Sequence, residues 1–191
     1  HRHVCRPRAD LARVGVEEAG NLDVKGPDAS FPALKTVNDK VSIREIGVKL
    51  PALEIIHGNF KAYAPDITLP ALKLIGGDLK SICPELCLPA LEKIGGDLHA
   101  DASGFAAPLL KEIGCTMFLD CYCAALQALE CVGYHCEFGT NAENIDVSSL
   151  RKIYGNLRIS PDGIEWPALT DGNGEIELYG GDTTLPALKR V

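Results

Sequence analysis

The sequence predicts a mainly β repeat solenoid built from coils of about 19 residues, and three observations point to it. A short phrase recurs along the chain, most clearly as "LPALKLIGGDL" from residue 69 and "LPALEKIGGDL" from residue 88. Taking the second residue of each copy as an anchor gives 32, 51, 70, 89, 108, 127, 148, 167 and 186, so successive anchors are 19 residues apart except for one step of 21. Apolar residues also recur at the same places after each anchor. Such a register is typical of stacked units that share one continuous core.

Each coil is expected to contain one short strand. We number the positions of a coil from its anchor, so that position 9 lies nine residues after it. Apolar residues occupy the position before the anchor and positions 2, 5 and 9 in nearly every copy, and positions 8 to 12 alternate between polar and apolar. This alternation predicts a half-buried strand, with successive strands stacked in parallel about 4.8 Å apart. The earlier stretch, PALxxI, has helix-like spacing but room for at most one or two turns, which predicts a short 3₁₀ or irregular arc.

The residues between arc and strand are interpreted as a corner. The glycine pairs Gly76 and Gly77, and Gly95 and Gly96, lie there, and we expect the backbone to adopt φ > 0 as it turns. An Asp or Asn suited to hydrogen-bonding nearby backbone follows at position 8, as Asn59, Asp78, Asp97 and Asn156. The proline of each phrase fixes φ where the chain enters the arc.

One elongated domain is predicted for residues 1–191. Residues 1–30 form an atypical N-terminal cap with a degraded first repeat, "DLARVGVEEAGNLDV" at 10–24, residues 31–184 form the regular repeats, and residues 185–191 form a truncated last repeat. The apolar fraction of 46% is ordinary for a folded protein. The net charge of −7 argues against general nucleic-acid binding. No apolar run is long enough to span a membrane, and the polar, basic start does not look like a signal peptide.

The phrase L-P-x-L-x-x-I-G-G-x-L-x-I resembles the leucine-rich-repeat superfamily over residues 31–191. The resemblance is closest to the variant found in receptor L-domains and related bacterial and fungal surface repeat proteins. The usual Asn of LxxLxLxxN is absent, since the place near position 14 holds Ile46, Pro65, Pro84, Ser103 and Tyr122. The resemblance therefore implies a right-handed, flatter β-solenoid of the L-domain kind, without outer helices. It also implies a binding scaffold rather than an enzyme.

Eight cysteines leave three interpretations open. They could be free thiols, at least one disulfide could involve a cysteine of residues 115–136, or the spacing C-x5-C-x-C-x7-C-x4-C there could hold zinc. The repeat register favours free thiols, because Cys136 falls in the apolar column at position 9, and Cys83 and Cys121 share position 13 with alanines. Free thiols would favour a reducing, cytoplasmic compartment, whereas disulfides would favour a secreted or cell-surface protein.

The outer face of the stacked strands is the expected binding surface. Positions 10 and 12 point outward, and the middle coils there combine aromatic, apolar and charged side chains, a composition typical of protein interfaces. We call these residues the central patch: Lys61, Tyr63, Lys80, Ile82, His99, Asp101, Phe118 and Asp120. The sequence thus predicts a non-catalytic module that binds a partner protein through this patch and needs no cofactor.

Two alternatives remain open at this point. The first is a cell-surface recognition domain for carbohydrate or a receptor, as the family resemblance implies. The second is an enzyme or metal site that uses Asp97, His99 and Asp101, with Asp78 and Asp120 on the neighbouring coils, since carboxylates flanking an imidazole can bind a divalent metal or transfer protons.

Overall fold

The computed structural model describes residues 15–162, 164–179 and 185–189, and these form a β-solenoid of about eight turns. The described chain contains no helix, so none of its segments is a helical candidate for crossing a bilayer. All strand pairs are parallel, and they join residues one coil apart, as in the row Leu98, Met117, Cys136 and Leu157. The predicted fold class, a mainly β solenoid with coils of about 19 residues, is confirmed.

Two parallel sheets run along the solenoid. Sheet A consists of two-residue strands: β1 (Glu18–Ala19), β3 (Thr36–Val37), β5 (Ile55–Ile56), β8 (Leu74–Ile75), β11 (Lys93–Ile94), β13 (Glu112–Ile113), β15 (Cys131–Val132), β18 (Lys152–Ile153) and β20 (Asp171–Gly172). Sheet B contains the strands predicted from the alternation: β2 (Leu22–Val24), β4 (Val41–Ile43), β6 (Phe60–Ala62), β9 (Leu79–Ser81), β12 (Leu98–Ala106), β14 (Met117–Ala125), β16 (Cys136–Phe138), β19 (Leu157–Ile159) and β21 (Ile176–Leu178). Three short strands join sheet B at a further side: β7 (Ile67–Thr68), β10 (Glu85–Cys87) and β17 (Asn144–Asp146).

The expectation of one strand per coil was therefore too low. Sheet A adds a second strand at positions 4 and 5, which the sequence shows only as the end of the PALxxI arc. Two residues are too few to produce a visible alternation of polar and apolar side chains.

The length of the strands in sheet B depends on position 15. Asp28, Gly47 and Asp66 occupy it in the first coils with φ of 55°, 71° and 56°, so the backbone turns a left-handed corner there. The equivalent residues Gly104 and Cys123 lie inside β12 and β14, which run on for nine residues each. The middle coils thus present longer strands than their neighbours.

The predicted arc is a single turn of four residues. Leu91 N–H donates to the Leu88 carbonyl oxygen at 3.1 Å, and Leu129 N–H donates to that of Leu126 at 2.9 Å. This i to i+3 bond defines a β-turn, and the proline of the LPAL phrase takes its second place, where a fixed φ is favourable. The arc is thus too short to be a 3₁₀ helix.

The repeated apolar columns fill the interior. Leu53, Leu72 and Leu91 at position 2 are completely buried, and Phe60 at position 9 is as well. Near the C-terminal end, the Trp166 ring packs edge-on against Phe138 with the ring centroids 5.1 Å apart. Because each coil places the same side chains over those of the coil before, the columns form one continuous core.

The corner glycines serve a purpose other than the predicted one. No glycine of the pairs at 76–77 and 95–96 has a positive φ. Instead, a Cβ atom on Gly95 would lie closer than 3.0 Å to the carbonyl oxygen of Gly76 in the coil below. The prediction of φ > 0 was therefore wrong, and the close stacking of coils is what requires glycine here.

Asp and Asn at position 8 link successive coils. Asn59 Oδ1 accepts a hydrogen bond from Asp78 N–H at 2.8 Å, and Asp78 Oδ1 accepts one from Asp97 N–H at 2.9 Å. Asp97 Oδ1 continues the series by accepting from Thr116 N–H at 2.8 Å. The expected bonding to backbone at the corner is confirmed, with the donor one coil further on.

Candidate functional site

All members of the central patch lie on the outer face of sheet B. Register pairs Lys61 with Lys80, Lys80 with His99, and His99 with Phe118, so position 10 forms a continuous outer row. Position 12 forms a parallel row of Tyr63, Ile82, Asp101 and Asp120. The residues between the two rows point inward and are buried: Ala62, Ser81, Ala100 and Leu119. The structure therefore brings the predicted residues together on one surface.

The two aromatic residues of the patch are half-buried against the preceding coil. The Arg44 guanidinium lies 5.0 Å from the centre of the Tyr63 ring. Phe118 stacks on His99 with ring centroids 4.7 Å apart and an angle of 19° between the planes. Ile82, at 43% exposure, is the most open apolar side chain of the patch. Tyr63 and Phe118 thus form part of the outer surface and also pack against side chains of the preceding coil.

The charges at position 3, directly before each strand of sheet A, alternate in sign from coil to coil and pair with one another. Position 3 carries Lys35, Glu54, Lys73, Glu92, Lys111, Glu130 and Arg151 in turn. Lys73 Nζ lies 2.9 Å from Glu54 Oε2, and Lys111 Nζ lies 3.6 Å from Glu92 Oε2. The hydrogen bond and the charge of Lys73 lower the pKa of Glu54, and the same two effects of Glu54 raise the pKa of Lys73. The charges at position 3 are therefore neutralised by ion pairs between neighbouring coils.

The central patch has the opposite arrangement. Lys61 pairs in register with Lys80, and Asp101 pairs with Asp120, so like charges lie side by side. Like charges directly opposite one another on neighbouring strands are destabilising. Within the described part of the chain, Lys61, Lys80 and Asp101 make no ion pair. The patch thus holds two unneutralised clusters, a basic one followed two coils later by an acidic one.

An open groove of 540 Å³ borders the acidic cluster. Ile82, Asp101 and Asp120 line it from the patch, and Tyr122 and Glu143 line it from beyond. Tyr122 is 56% exposed. The lining contains three carboxylates, those of Asp101, Asp120 and Glu143, and no lysine, arginine or histidine.

The groove wall is formed by the one coil of 21 residues. Its extra residues fall between the strands β16 and β17, where residues 139–142 form a turn closed by Ala142 N–H donating to the Gly139 carbonyl oxygen. Asn141 donates from its backbone N–H and its side-chain Nδ2 to the two oxygens of Asp120, at 2.8 and 3.0 Å. The binding surface predicted from the sequence did not include Tyr122, Asn141 or Glu143. The step of 21 residues between two anchors was the signal that could have pointed to this place.

Asp97 and His99, two residues of the alternative enzyme or metal site, each contact a residue of the next coil. Asp97 lies just before β12, and its Oδ1 accepts the hydrogen bond from Thr116 N–H. The His99 ring stacks on that of Phe118. No group of three or more His, Cys, Asp or Glu side chains is placed to hold a metal ion in the part of the chain that the structure describes.

The seven described cysteines are all unpaired thiols, and Cys5 lies outside the described residues. Cys83, Cys121 and Cys136 are buried, as their places in the repeat predict. Burial raises the pKa of Cys121 to about 12 and that of Cys136 well above its usual range. Cys115 and Cys123 are exposed. The buried thiols therefore fill the core and stay protonated at neutral pH.

Comparisons with known proteins found no matching protein-family model, no matching curated protein and no matching solved structure. The function is therefore argued from the surface itself.

Proposed function

We propose that the protein is a non-catalytic interaction module that binds a partner protein through the central patch. The observation that carries the proposal is the placing of like charges side by side on the outer face of sheet B. Opposite charges could have been placed side by side there, because the same coils alternate the charge sign at position 3, directly before sheet A.

The repulsion between like charges in the patch, which destabilises the free protein, suggests that a partner binds there. Lys61 beside Lys80 and Asp101 beside Asp120 each destabilise the free protein, by roughly 0.2–1 kcal/mol on the scale of cross-strand pairs. A partner that supplies the opposite charges would relieve both repulsions on binding. Ile82 and the stacked rings of His99 and Phe118 lie at the centre of the same face and offer the apolar contact area that interfaces use.

The acidic net charge and the basic cluster argue for a protein rather than a nucleic acid as the partner. The chain carries a net charge of −7, and only Lys61 and Lys80 contribute lysine side chains to the patch. Nucleic-acid binding relies on many basic contacts with phosphates. A protein surface with both signs of charge matches the patch better.

We also propose that the scaffold is a variant of the leucine-rich-repeat superfamily of the L-domain kind. The repeated L-P-x-L-x-x-I-G-G phrase and the parallel sheet B support this. The exposed Asp and Asn series at position 8 takes over the role of linking coils, since the usual asparagine is absent.

Affinity capture with a patch variant tests the proposal. The wild type, a double variant Lys80→Glu with Phe118→Asp, and a control with Lys93→Glu and Glu112→Lys would be immobilised and exposed to extract and to extracellular medium. The control exchanges the two charges of an ion pair that lie 2.9 Å apart on sheet A, so it preserves the pair. We expect the wild type and the control to retain one and the same protein in stoichiometric amounts, and the patch variant to lose it. Equal retention by all three, or retention of nothing, would contradict the proposal.

A further inference from the structure

The geometry points to a partner segment with two poles, and this inference rests on the proposed function. We infer that a protein segment lies along the solenoid axis with a carboxylate over Lys61 and Lys80 and an arginine side chain in the groove beside Asp101 and Asp120. The occupant is thus defined by its chemistry as a polypeptide with acidic and basic ends in a fixed order along the patch.

The spacing of the two poles follows from the register. Lys61 and Lys80 lie on consecutive coils, and Asp101 and Asp120 lie on the next two. The centres of the two clusters are therefore two coils apart along the axis and two residues apart along the strands, which together make about 12 Å. About three to four residues of extended chain cover this distance.

The groove favours arginine over lysine as the basic group. Asn141 holds both oxygens of Asp120 in place, so this carboxylate is oriented before a ligand arrives. Asp101 makes no ion pair within the described part of the chain and is exposed. Tyr122 stands at the groove and is more than half exposed. The planar guanidinium of arginine can donate two parallel hydrogen bonds to a carboxylate and stack flat on an aromatic ring. The ammonium of lysine is a compact point charge and offers neither arrangement.

Ile82 and His99 flank the line that joins the two poles. Ile82 follows Lys80 by two residues on the same coil, and His99 precedes Asp101 by two residues on the next coil, where its ring stacks on Phe118. A small or apolar residue of the segment would cover this part. The order of the poles is fixed, because the basic cluster lies toward the N-terminal coils and the acidic cluster toward the C-terminal coils.

NMR titration of ¹⁵N-labelled protein with three synthetic peptides tests the inference. The peptides are Glu-Glu-Gly-Arg-Arg, the same composition with mixed charges, Glu-Arg-Gly-Glu-Arg, and the basic peptide Arg-Arg-Gly-Arg-Arg. The centres of its acidic and basic pairs lie about 10 Å apart in an extended chain, so the long glutamate and arginine side chains reach both clusters. We expect it to shift the amides of Lys80, Ile82, Asp101 and Tyr122, with a Kd about three- to tenfold lower than that of the mixed peptide.

Two variants separate a specific arrangement from general attraction to an acidic protein. The Lys80→Glu variant should lose the preference for Glu-Glu-Gly-Arg-Arg and bind the basic peptide more tightly. The Asp101→Asn variant should bind both peptides that carry an arginine pair, the first and the basic one, more weakly than the wild type does. Replacing the arginines by lysines should weaken binding of the first peptide. The amide spectrum of each variant shows whether the fold is retained.

Other outcomes overturn the inference. Equal affinity for the first and the mixed peptide, or a wild-type preference for the basic peptide, would show that charge order is not recognised. Shifts caused by a neutral oligosaccharide but by none of the peptides would assign the groove to carbohydrate. If the peptides fail while the capture experiment still succeeds, the two-pole segment is wrong and the interaction module stands; if the capture experiment also fails, both are wrong.

Discussion

Replacing Gly95 by alanine should destabilise the solenoid far more than the same change at Gly104. A Cβ on Gly95 would lie closer than 3.0 Å to the Gly76 carbonyl oxygen, a backbone atom that cannot rotate away. A Cβ on Gly104 would meet Cys123 Sγ at 3.5 Å and Glu85 Cγ at 3.7 Å, which are ordinary contacts. Neither glycine has a positive φ, so the comparison isolates the steric effect of coil stacking.

The expected magnitude follows from the bonds at the corner. Gly95 N–H donates to the Ile75 carbonyl oxygen at 2.8 Å, and Gly96 N–H donates to that of Gly77 at 3.0 Å. Moving the coils apart enough to admit the methyl group would stretch both bonds beyond the normal range. Each bond contributes about 1 kcal/mol, overpacking costs about 1–3 kcal/mol, and alanine regains about 1 kcal/mol by restricting the unfolded chain, so Gly95→Ala should lower the free energy of unfolding by roughly 2–4 kcal/mol. Gly104→Ala should change it by between zero and a gain of about 1 kcal/mol, because alanine restricts the unfolded chain.

Urea and thermal unfolding would measure the difference. Circular dichroism follows the sheets, and the fluorescence of Trp166, the single tryptophan and a buried one, follows the C-terminal coils. For a chain of this size the melting temperature of Gly95→Ala should fall by about 6–12 °C. If both variants melted within about 2 °C of each other, the stacking distance would not be what requires glycine at this corner.

Three further predictions concern charge, hydrogen bonding and thiols. At low salt Lys73→Glu should lower the melting temperature, because it creates like-charged neighbours at position 3. Lys80→Glu should raise the melting temperature, because it relieves the repulsion with Lys61 in the patch. A shift of the melting temperature in the same direction for both variants would contradict the contrast between the two faces. Asp97→Ala should cost about 1 kcal/mol in urea unfolding, since Thr116 N–H loses its acceptor, and Asp97→Asn should restore most of it. In native protein at pH 8, a thiol reagent should react with Cys123 rapidly and with Cys121 only on unfolding. Burial raises the pKa of Cys121 from its ordinary value of 9.0 to about 12, so the unfolded chain loses this proton first and the stability measured by urea unfolding should fall as pH rises between these values.

The fold could be predicted from the sequence because every coil repeats the same columns. A residue such as Leu91 is predicted buried by eight equivalents and not by its own neighbours alone. The same argument placed Cys136 in the core and Lys61 with Lys80 on the outer face. Repetition averages out local irregularity, which is why the register was reliable.

What the sequence did not reveal depends on distances between coils. Gly95 follows the usual pattern for a turn, and only the position of the Gly76 carbonyl shows that there is no space for a side chain. The groove depends on where the extra residues of the long coil fold, and Asn141 reaches Asp120 across 21 residues of sequence. The alternating charges at position 3 could have been found by aligning the copies and comparing charge signs as well as hydrophobicity.

The alternation at position 3 also constrains how such an array can change in length during evolution. Glu54 faces Lys73, and the next glutamate, Glu92, lies two coils from the first. Losing a single coil would place the two glutamates next to each other, whereas losing two coils would keep opposite signs adjacent. Gene duplication or deletion should therefore be tolerated best in even numbers of coils, so that the heritable unit of this solenoid is a pair of repeats.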